Sequence, residues 1–322
     1  MRAAVLVGPG SVVVRDVLRP SAARDGDVVA EVHYTGICRT DAQLTEAGQP
    51  HARVLGHEVV CRIPEEDGFL ALNNEISCGR CSYCAVGLTS HCEELSELGV
   101  NADGGYAEWI LTPRDQLHPF AFANAMLGVL IEPLSCALRA EQRLWRLIGP
   151  AGRPSILVVG GGVSGALIAY LVSRWPQHPE VAVFDPVDAP LPWLRRLPAR
   201  RCEAPTSASA DIVVECSGTP GGCISAFAAA RKAAVVCLYG VPRAGVAFPR
   251  TARELFADEL TVLTSQAGAS STSMRAAIDL IGADEAFFGS LLGRVVPLAR
   301  LPPELVSWGP APGTRTVVDV RR

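Results

Sequence analysis

Four cysteines, Cys78, Cys81, Cys84 and Cys92, are spaced C-x2-C-x2-C-x7-C in a glycine-containing loop. Thiolates this close in sequence close a tetrahedron around Zn2+ without long-range folding, and a full set of four leaves no open position for chemistry. Residues 78–92 are therefore read as a structural zinc loop. The competing readings are buried free thiols, a redox pair and an iron–sulfur cluster, although bacterial ferredoxin spacing differs and usually ends in Cys-Pro. Cys38, Cys61, Cys136, Cys202, Cys216, Cys223 and Cys237 lie mostly in apolar runs, where core packing is the default.

A second cluster of signals runs from Ile156 to Leu171. The apolar run Ile156-Leu157-Val158-Val159 meets Gly160-Gly161-Gly162-Val163-Ser164-Gly165, and a helix-forming segment follows. Strand, G-x-G-x-x-G and helix stand in the order that binds a dinucleotide. Gly160 permits the tight turn, Gly162 lets the backbone approach a pyrophosphate, and Gly165 allows helix and sheet to pack closely. Val163 opens the helix, whose first N–H groups point at the phosphates. A glycine fingerprint alone is weak, since an ordinary strand-to-helix turn can share it. Here a second strand ends in Asp185, where a carboxylate accepts hydrogen bonds from the adenosine ribose and repels a 2′-phosphate. NAD is expected over NADP. Arg195 and Arg196 come late for a phosphate clamp, unless the Pro-rich segment from Pro186 to Pro192 folds back.

One thiol and one imidazole stand apart from these, Cys38 in Thr35-Gly36-Ile37-Cys38-Arg39-Thr40-Asp41 and His57 in Leu55-Gly56-His57-Glu58. Alone, each is more often a packed residue than a ligand. The elements that must hold all these residues follow from the hydrophobic rhythm. To about residue 125, short β-branched runs such as Ser11–Arg15 and Asp27–His33 alternate with Gly, Pro and Asp, which predicts a β-rich domain with long loops. From about residue 130, apolar runs at Ile156–Val159, Val181–Phe184, Asp211–Glu215, Ala234–Tyr239 and Leu260–Thr264 alternate with Ala-rich helical stretches. That pattern predicts a parallel sheet covered on both faces, with an ambiguous sixth strand near Arg200–Ala204. Thr316–Val320 reads as a strand returning to the first domain.

The chain's 322 residues suit two domains, and 49% hydrophobic with 19% charged residues suits a globular protein. A net charge of −4 without a basic run gives no attraction to nucleic acid or to anionic membranes. No apolar run reaches the length of a membrane span and the start lacks a signal-peptide core, so a cytoplasmic location is expected. Eleven cysteines in so long a chain without an export signal do not read as a disulfide scaffold.

Taken together, the sequence resembles the zinc-containing medium-chain dehydrogenase/reductase superfamily, particularly its alcohol and polyol dehydrogenases. The markers are Gly36-Ile37-Cys38-Arg39-Thr40-Asp41, Gly56-His57-Glu58, the cysteine loop, Asp103-Gly104-Gly105-Tyr106-Ala107-Glu108, Glu132-Pro133-Leu134-Ser135 and the glycine fingerprint, in family order. The resemblance implies an α/β fold, with a Rossmann doubly wound parallel sheet over 128–267 and a β-rich GroES-like catalytic domain over 1–127 plus 268–322. It implies that Cys38 and His57 ligate a catalytic zinc. Glu132, at the third-ligand position, would bind the metal directly or through water, with Glu58 as the fourth, exchangeable ligand. Cys136, four residues after Glu132, is a minor alternative. Thr40 matches the hydroxyl that takes the substrate proton, although a role capping the following turn is compatible. Ser217, Gly240 and Val241 end strands where cofactor contacts are expected, and Arg39 is a candidate phosphate contact.

Two departures stand out. Gln43 replaces the histidine that many relatives use for proton exit and cannot shuttle protons by titrating. Water or His51 would then serve, although His51 also reads as an ordinary loop residue. The segment Arg62–Phe69 is shorter than in typical relatives.

The function implied is hydride transfer between NAD and a secondary alcohol: a polyol, a cyclitol or a sugar-like intermediate. Zinc and NAD would be the cofactors, the alcohol or ketone the small-molecule partner, and a homodimer or homotetramer the assembly. Pocket walls would come from Thr45–His51, Asn101–Tyr106 and Gln266–Thr272. The competing functions are a zinc-independent quinone or enone reductase on the same scaffold, and a non-catalytic binding protein.

Overall fold

The computed structural model describes all residues except 23, 65, 149–151, 244 and 308–312. It divides into two compact units. One holds Met1–Ser135 with most of the chain after Gly268, and the other holds Cys136–Ala267.

The first unit is β-rich. Its largest sheet has seven strands, built around the ten-residue strand Asp27–Gly36. That strand pairs antiparallel with Glu58–Arg62, with Trp109–Pro113 and with the late strand Arg315–Asp319, so the end of the chain does return to this sheet. A three-stranded sheet joins Arg2–Gly8 to Ser11–Asp16 and Arg53–Val54. The side chains of Ala4, Leu6, Val32, Ile37, Leu55, Cys61, Leu72 and Val318 close the core, each at most 1% exposed. A short ladder, Glu75–Ile76 against Ser96–Glu97, brackets the cysteine loop.

The second unit contains a six-stranded, all-parallel sheet. Its spatial order is Ala199–Cys202, Glu180–Phe184, Ser155–Val159, Ala210–Glu215, Ala230–Leu238, Thr261–Thr264. In chain order this is 3-2-1-4-5-6, the doubly wound Rossmann arrangement, with its switch point between Ser155–Val159 and Ala210–Glu215. The five strands expected from apolar runs are present. The ambiguous sixth occurs at Ala199–Cys202, and the fifth begins earlier than expected, at Ala230. Val158, Val213, Val214, Val236 and Cys237 are fully buried, which is why these runs show no polar alternation.

The helices Val163–Val172 and Pro220–Ala229 are also apolar throughout most of their length, as befits cover for such a sheet. Between Phe184 and Ala199 only a short 3-10 helix forms, Pro192–Arg196. Pro186, Pro190 and Pro192 remove backbone donors there, so a longer helix is disfavoured. Among the described residues, no helix is long and apolar enough to cross a membrane.

Candidate active site

The site in the first unit starts from a helix N-terminus. Cys38 is the residue before the helix Arg39–Ala47, and its backbone N–H donates to Asp41 Oδ2 at 2.8 Å. Asp41 is fully buried. Its carboxylate also accepts from Tyr106 Oη at 2.8 Å and from the Gly56 N–H at 3.3 Å, and its Oδ1 stands 3.3 Å from His57 Nδ1. One carboxylate thereby orients both the helix start and the imidazole, leaving Nε2 of His57 for a metal. Glu58 opens the next strand and is 1% exposed. Gly36 makes room for it, because a Cβ at Gly36 would collide with the Glu58 carboxylate.

Arg315 completes the cluster from the far end of the chain. Its Nη1 donates to the Ile37 carbonyl at 2.8 Å, and its Nη2 stands 2.8 Å from Glu58 Oε1. That ion pair lacks hydrogen-bond alignment, so neither carboxylate oxygen of Glu58 has a hydrogen-bond donor although both are buried. An orphaned carboxylate is costly unless a cation satisfies it.

Ligand atoms of Cys38, His57 and Glu58 all lie within 4.8 Å of one another. Burial pushes the Cys38 thiol up, but the neighbouring His57 and Arg315 outweigh it and bring it down to about 7. Burial would depress His57, yet Asp41 and Cys38 raise it well above its ordinary value. Burial raises Glu58 further than the Arg315 guanidinium lowers it. A readily ionised thiol, an oriented imidazole and an unsatisfied carboxylate form a donor set that suits Zn2+.

Thr40 Oγ1 lies 3.7 Å from Cys38 Sγ, within the same turn. Glu132 begins the helix Ile131–Ile148 and is 9% exposed. It stands outside the trio just described, although its charge contributes to raising the Glu58 carboxyl. Cys136 follows on the same helix and is buried, and it too stands outside the trio. His51 is exposed, whereas Arg39 and Gln43 are half-buried.

The second cluster is the cysteine loop. Ligand atoms of Cys78, Cys81, Cys84 and Cys92 also lie within 4.8 Å of one another. Zinc–sulfur bonds of about 2.3 Å in a tetrahedron separate sulfurs by roughly 3.8 Å, so the spread fits one ion. Backbone N–H groups of Cys78 and Glu94 point at Cys92 Sγ, at 3.2 and 3.4 Å. Those of Cys84 and Glu93 hold the Cys81 thiol down to about 6.

In the second unit, Gly160 adopts φ +106°, a turn that side chains resist. A Cβ on Gly165 would strike the Gly160 carbonyl, whereas one on Gly162 would meet nothing within 4 Å. The helix Val163–Val172 has no side-chain cap, so its leading N–H groups remain available to an anion. Asp185 Oδ2 accepts from the Gly161 N–H at 2.7 Å, directly beside the glycine turn. The Pro-rich segment does fold back, but it delivers Trp193 and not an arginine: Trp193 Nε1 donates to the Gly161 carbonyl at 3.3 Å. Arg195 and Arg196 are exposed.

At the switch point, Glu215 is 2% exposed. Its carboxylate accepts from the N–H groups of Ser217 and Gly218 and from Ser217 Oγ, and its carbonyl accepts from Gly240 N–H at 2.7 Å. Val241 is half exposed beside it.

Residues 24–121 match the alcohol dehydrogenase GroES-like domain. The chain is 32% identical over 194 residues to an uncharacterized zinc-type alcohol dehydrogenase-like protein of Haemophilus influenzae, covering 56% of this chain and 55% of that one. It is 31% identical over 216 residues to 2-dehydro-3-deoxy-L-galactonate 5-dehydrogenase of Pseudoalteromonas atlantica, covering 62% and 61%. These matches therefore span little more than half the length of the curated relatives. In three dimensions it resembles Haloferax mediterranei glucose dehydrogenase in complex with NADP, Zn and gluconolactone, at TM-score 0.81, 22% identity and 99% coverage of both chains. Over residues 24–121 the chain is similar to the alcohol dehydrogenase GroES-like domain, and its two units have the fold seen in these dehydrogenases.

Within this scaffold, three residues escaped the sequence reading. Arg315 carries no local signal, since its partner lies at the other end of the chain. Asp41 and Tyr106 stand inside quoted motifs, but nothing in their spacing says that one holds the other. Glu215 did leave a trace, as a carboxylate ending an otherwise fully apolar strand.

Proposed function

We propose that this protein is a zinc- and NAD-dependent oxidoreductase that interconverts a secondary alcohol and its ketone. The observation that carries the reading is the trio of half-buried Cys38 with buried His57 and Glu58, backed by Asp41 and Arg315. In it, Cys38 and His57 hold the metal, Glu58 offers an exchangeable fourth ligand, and Glu132 acts directly or through water. When bound, zinc supplies Lewis acidity that lowers the pKa of an alcohol oxygen towards neutrality. Arg315 pairs with Glu58, so that this carboxylate would not be an uncompensated charge in the core whether or not it held the metal. Thr40, in the same turn as the thiol, takes the hydroxyl proton. Proton exit runs through water, because Gln43 does not titrate.

The cofactor is held by the second unit. Gly160, Gly162, Val163 and Gly165 present backbone to the pyrophosphate, Asp185 accepts the ribose hydroxyls, and Ser217, Gly240 and Val241 flank the nicotinamide half. The Haloferax relative was captured with NADP. The preference for NAD here rests on the Asp185 carboxylate, which repels a 2′-phosphate. Relatives named for sugar acids and polyols, including sorbitol dehydrogenase of Halalkalibacterium halodurans, support a polyhydroxylated substrate. The four cysteines hold a structural zinc.

Replacing Cys38 or His57 by alanine tests the reading. Turnover of a polyol panel, followed at the nicotinamide absorbance, is abolished while NADH binding persists. Activity retained in either variant would refute it.

A further inference from the structure

The chain that follows Asp185 is tied down from the neighbouring strand by one side chain. Arg201, in Ala199–Cys202, sends Nη1 to the Ala189 carbonyl at 2.8 Å. Its Nη2 reaches the Val187 carbonyl at 2.7 Å and the Asp185 carbonyl at 3.5 Å. Asp188 lies 3.7 Å from the same guanidinium. All of these acceptors sit between residues 185 and 189.

The other side of that loop is fastened to the glycine turn. The Asp185 carboxylate accepts from Gly161 N–H at 2.7 Å and from Val187 N–H at 2.9 Å. Leu191 packs so closely that a Cβ on Gly161 would come within 2.8 Å of its methyl groups, and Trp193 donates to the Gly161 carbonyl. The position of the Asp185 carboxylate is thus set by a closed ring of contacts that includes the Arg201 guanidinium.

That geometry has two consequences. A planar fork spans several carbonyls at once, which an ammonium point charge cannot do. The donors of Arg201 also point at carbonyls, so a charge near Asp185 that would otherwise welcome a 2′-phosphate is already engaged.

We propose that Arg201 is a positioning residue that sets dinucleotide preference: it fixes the 185–189 loop so that Asp185 meets ribose hydroxyls and excludes a 2′-phosphate. This rests on the NAD reading above. Without the clamp the loop relaxes, the carboxylate swings off the ribose, and NADH loses contacts that NADPH never had.

The experiment titrates the zinc-loaded full chain with NADH and with NADPH, by nicotinamide fluorescence, for the wild type, Arg201→Gln and Arg201→Lys. The wild type binds NADH more tightly. Both variants lose roughly tenfold in NADH affinity, about one charge-assisted hydrogen bond, and the NADH/NADPH ratio narrows by a similar factor while thermal midpoint and zinc content stay near wild type. Lysine fails to rescue, because the fork and not the charge holds the loop. Two results would overturn the inference: a ratio unchanged in Arg201→Gln, as in a parallel loss of both dinucleotides, or full rescue by lysine. A wild type that binds neither dinucleotide contradicts the proposed function itself, and the inference with it.

Discussion

At Asp41 a single buried carboxylate meets Tyr106 and two backbone donors, and these partners fix it 3.3 Å from Nδ1 of His57. Outer partners of this kind typically tune metal affinity by 10- to 100-fold. Asp41→Asn is therefore expected to weaken zinc at the Cys38 site by about that factor while leaving the cysteine loop loaded. Competition with a chromophoric chelator measures it, and an unchanged affinity would mean that Asp41 does not orient His57. The residues of the candidate site were legible: Cys38, His57 and Glu58 stand in motifs, and the structure gathers them. Their supports were not, because a buried ion pair such as Glu58–Arg315 depends on which strands become neighbours. Here Arg315–Asp319 pairs with Asp27–Gly36, which in turn pairs with Glu58–Arg62.

Strands of the second unit were readable because full burial on both faces leaves an unbroken apolar run. After Asp185, three prolines within seven positions leave a loop that Arg201 and Trp193 fix. At Gly165 the helix and the glycine turn touch without room for a methyl group. Gly165→Ala must displace one of them, and a loss of tenfold or more in NADH affinity is expected with both metals retained; calorimetry reads the first and elemental analysis the second.

Strand Arg2–Gly8 is pinned by Glu108, which accepts from the Arg2 N–H at 2.8 Å and from Arg2 Nε at 3.0 Å. Burial alone would raise the Glu108 carboxyl, but these donors hold it below the ordinary value. Because the folded pKa is the lower one, the stabilisation is present above the unfolded value of about 4.3 and disappears as the pH falls through the folded value. Glu108→Gln should therefore cost less than about 1 kcal/mol at pH 7, as for an exposed pair. Its thermal midpoint should converge with that of the wild type in acid. A difference that persists unchanged below both pKa values would contradict the ion-pair account.

For the molecule as a whole, the account divides labour between two units. One carries the two candidate metal centres, and the other carries the doubly wound sheet with its glycine turn. The proposed hydride transfer draws on residues of each, and the metal decides between this account and a zinc-independent reductase built on the same scaffold. Elemental analysis of active, dialysed protein tests that point most directly. The account predicts about two zinc ions per chain, falling to about one in Cys38→Ala as turnover is lost. Fully active protein that holds only the ion of the cysteine loop would contradict it.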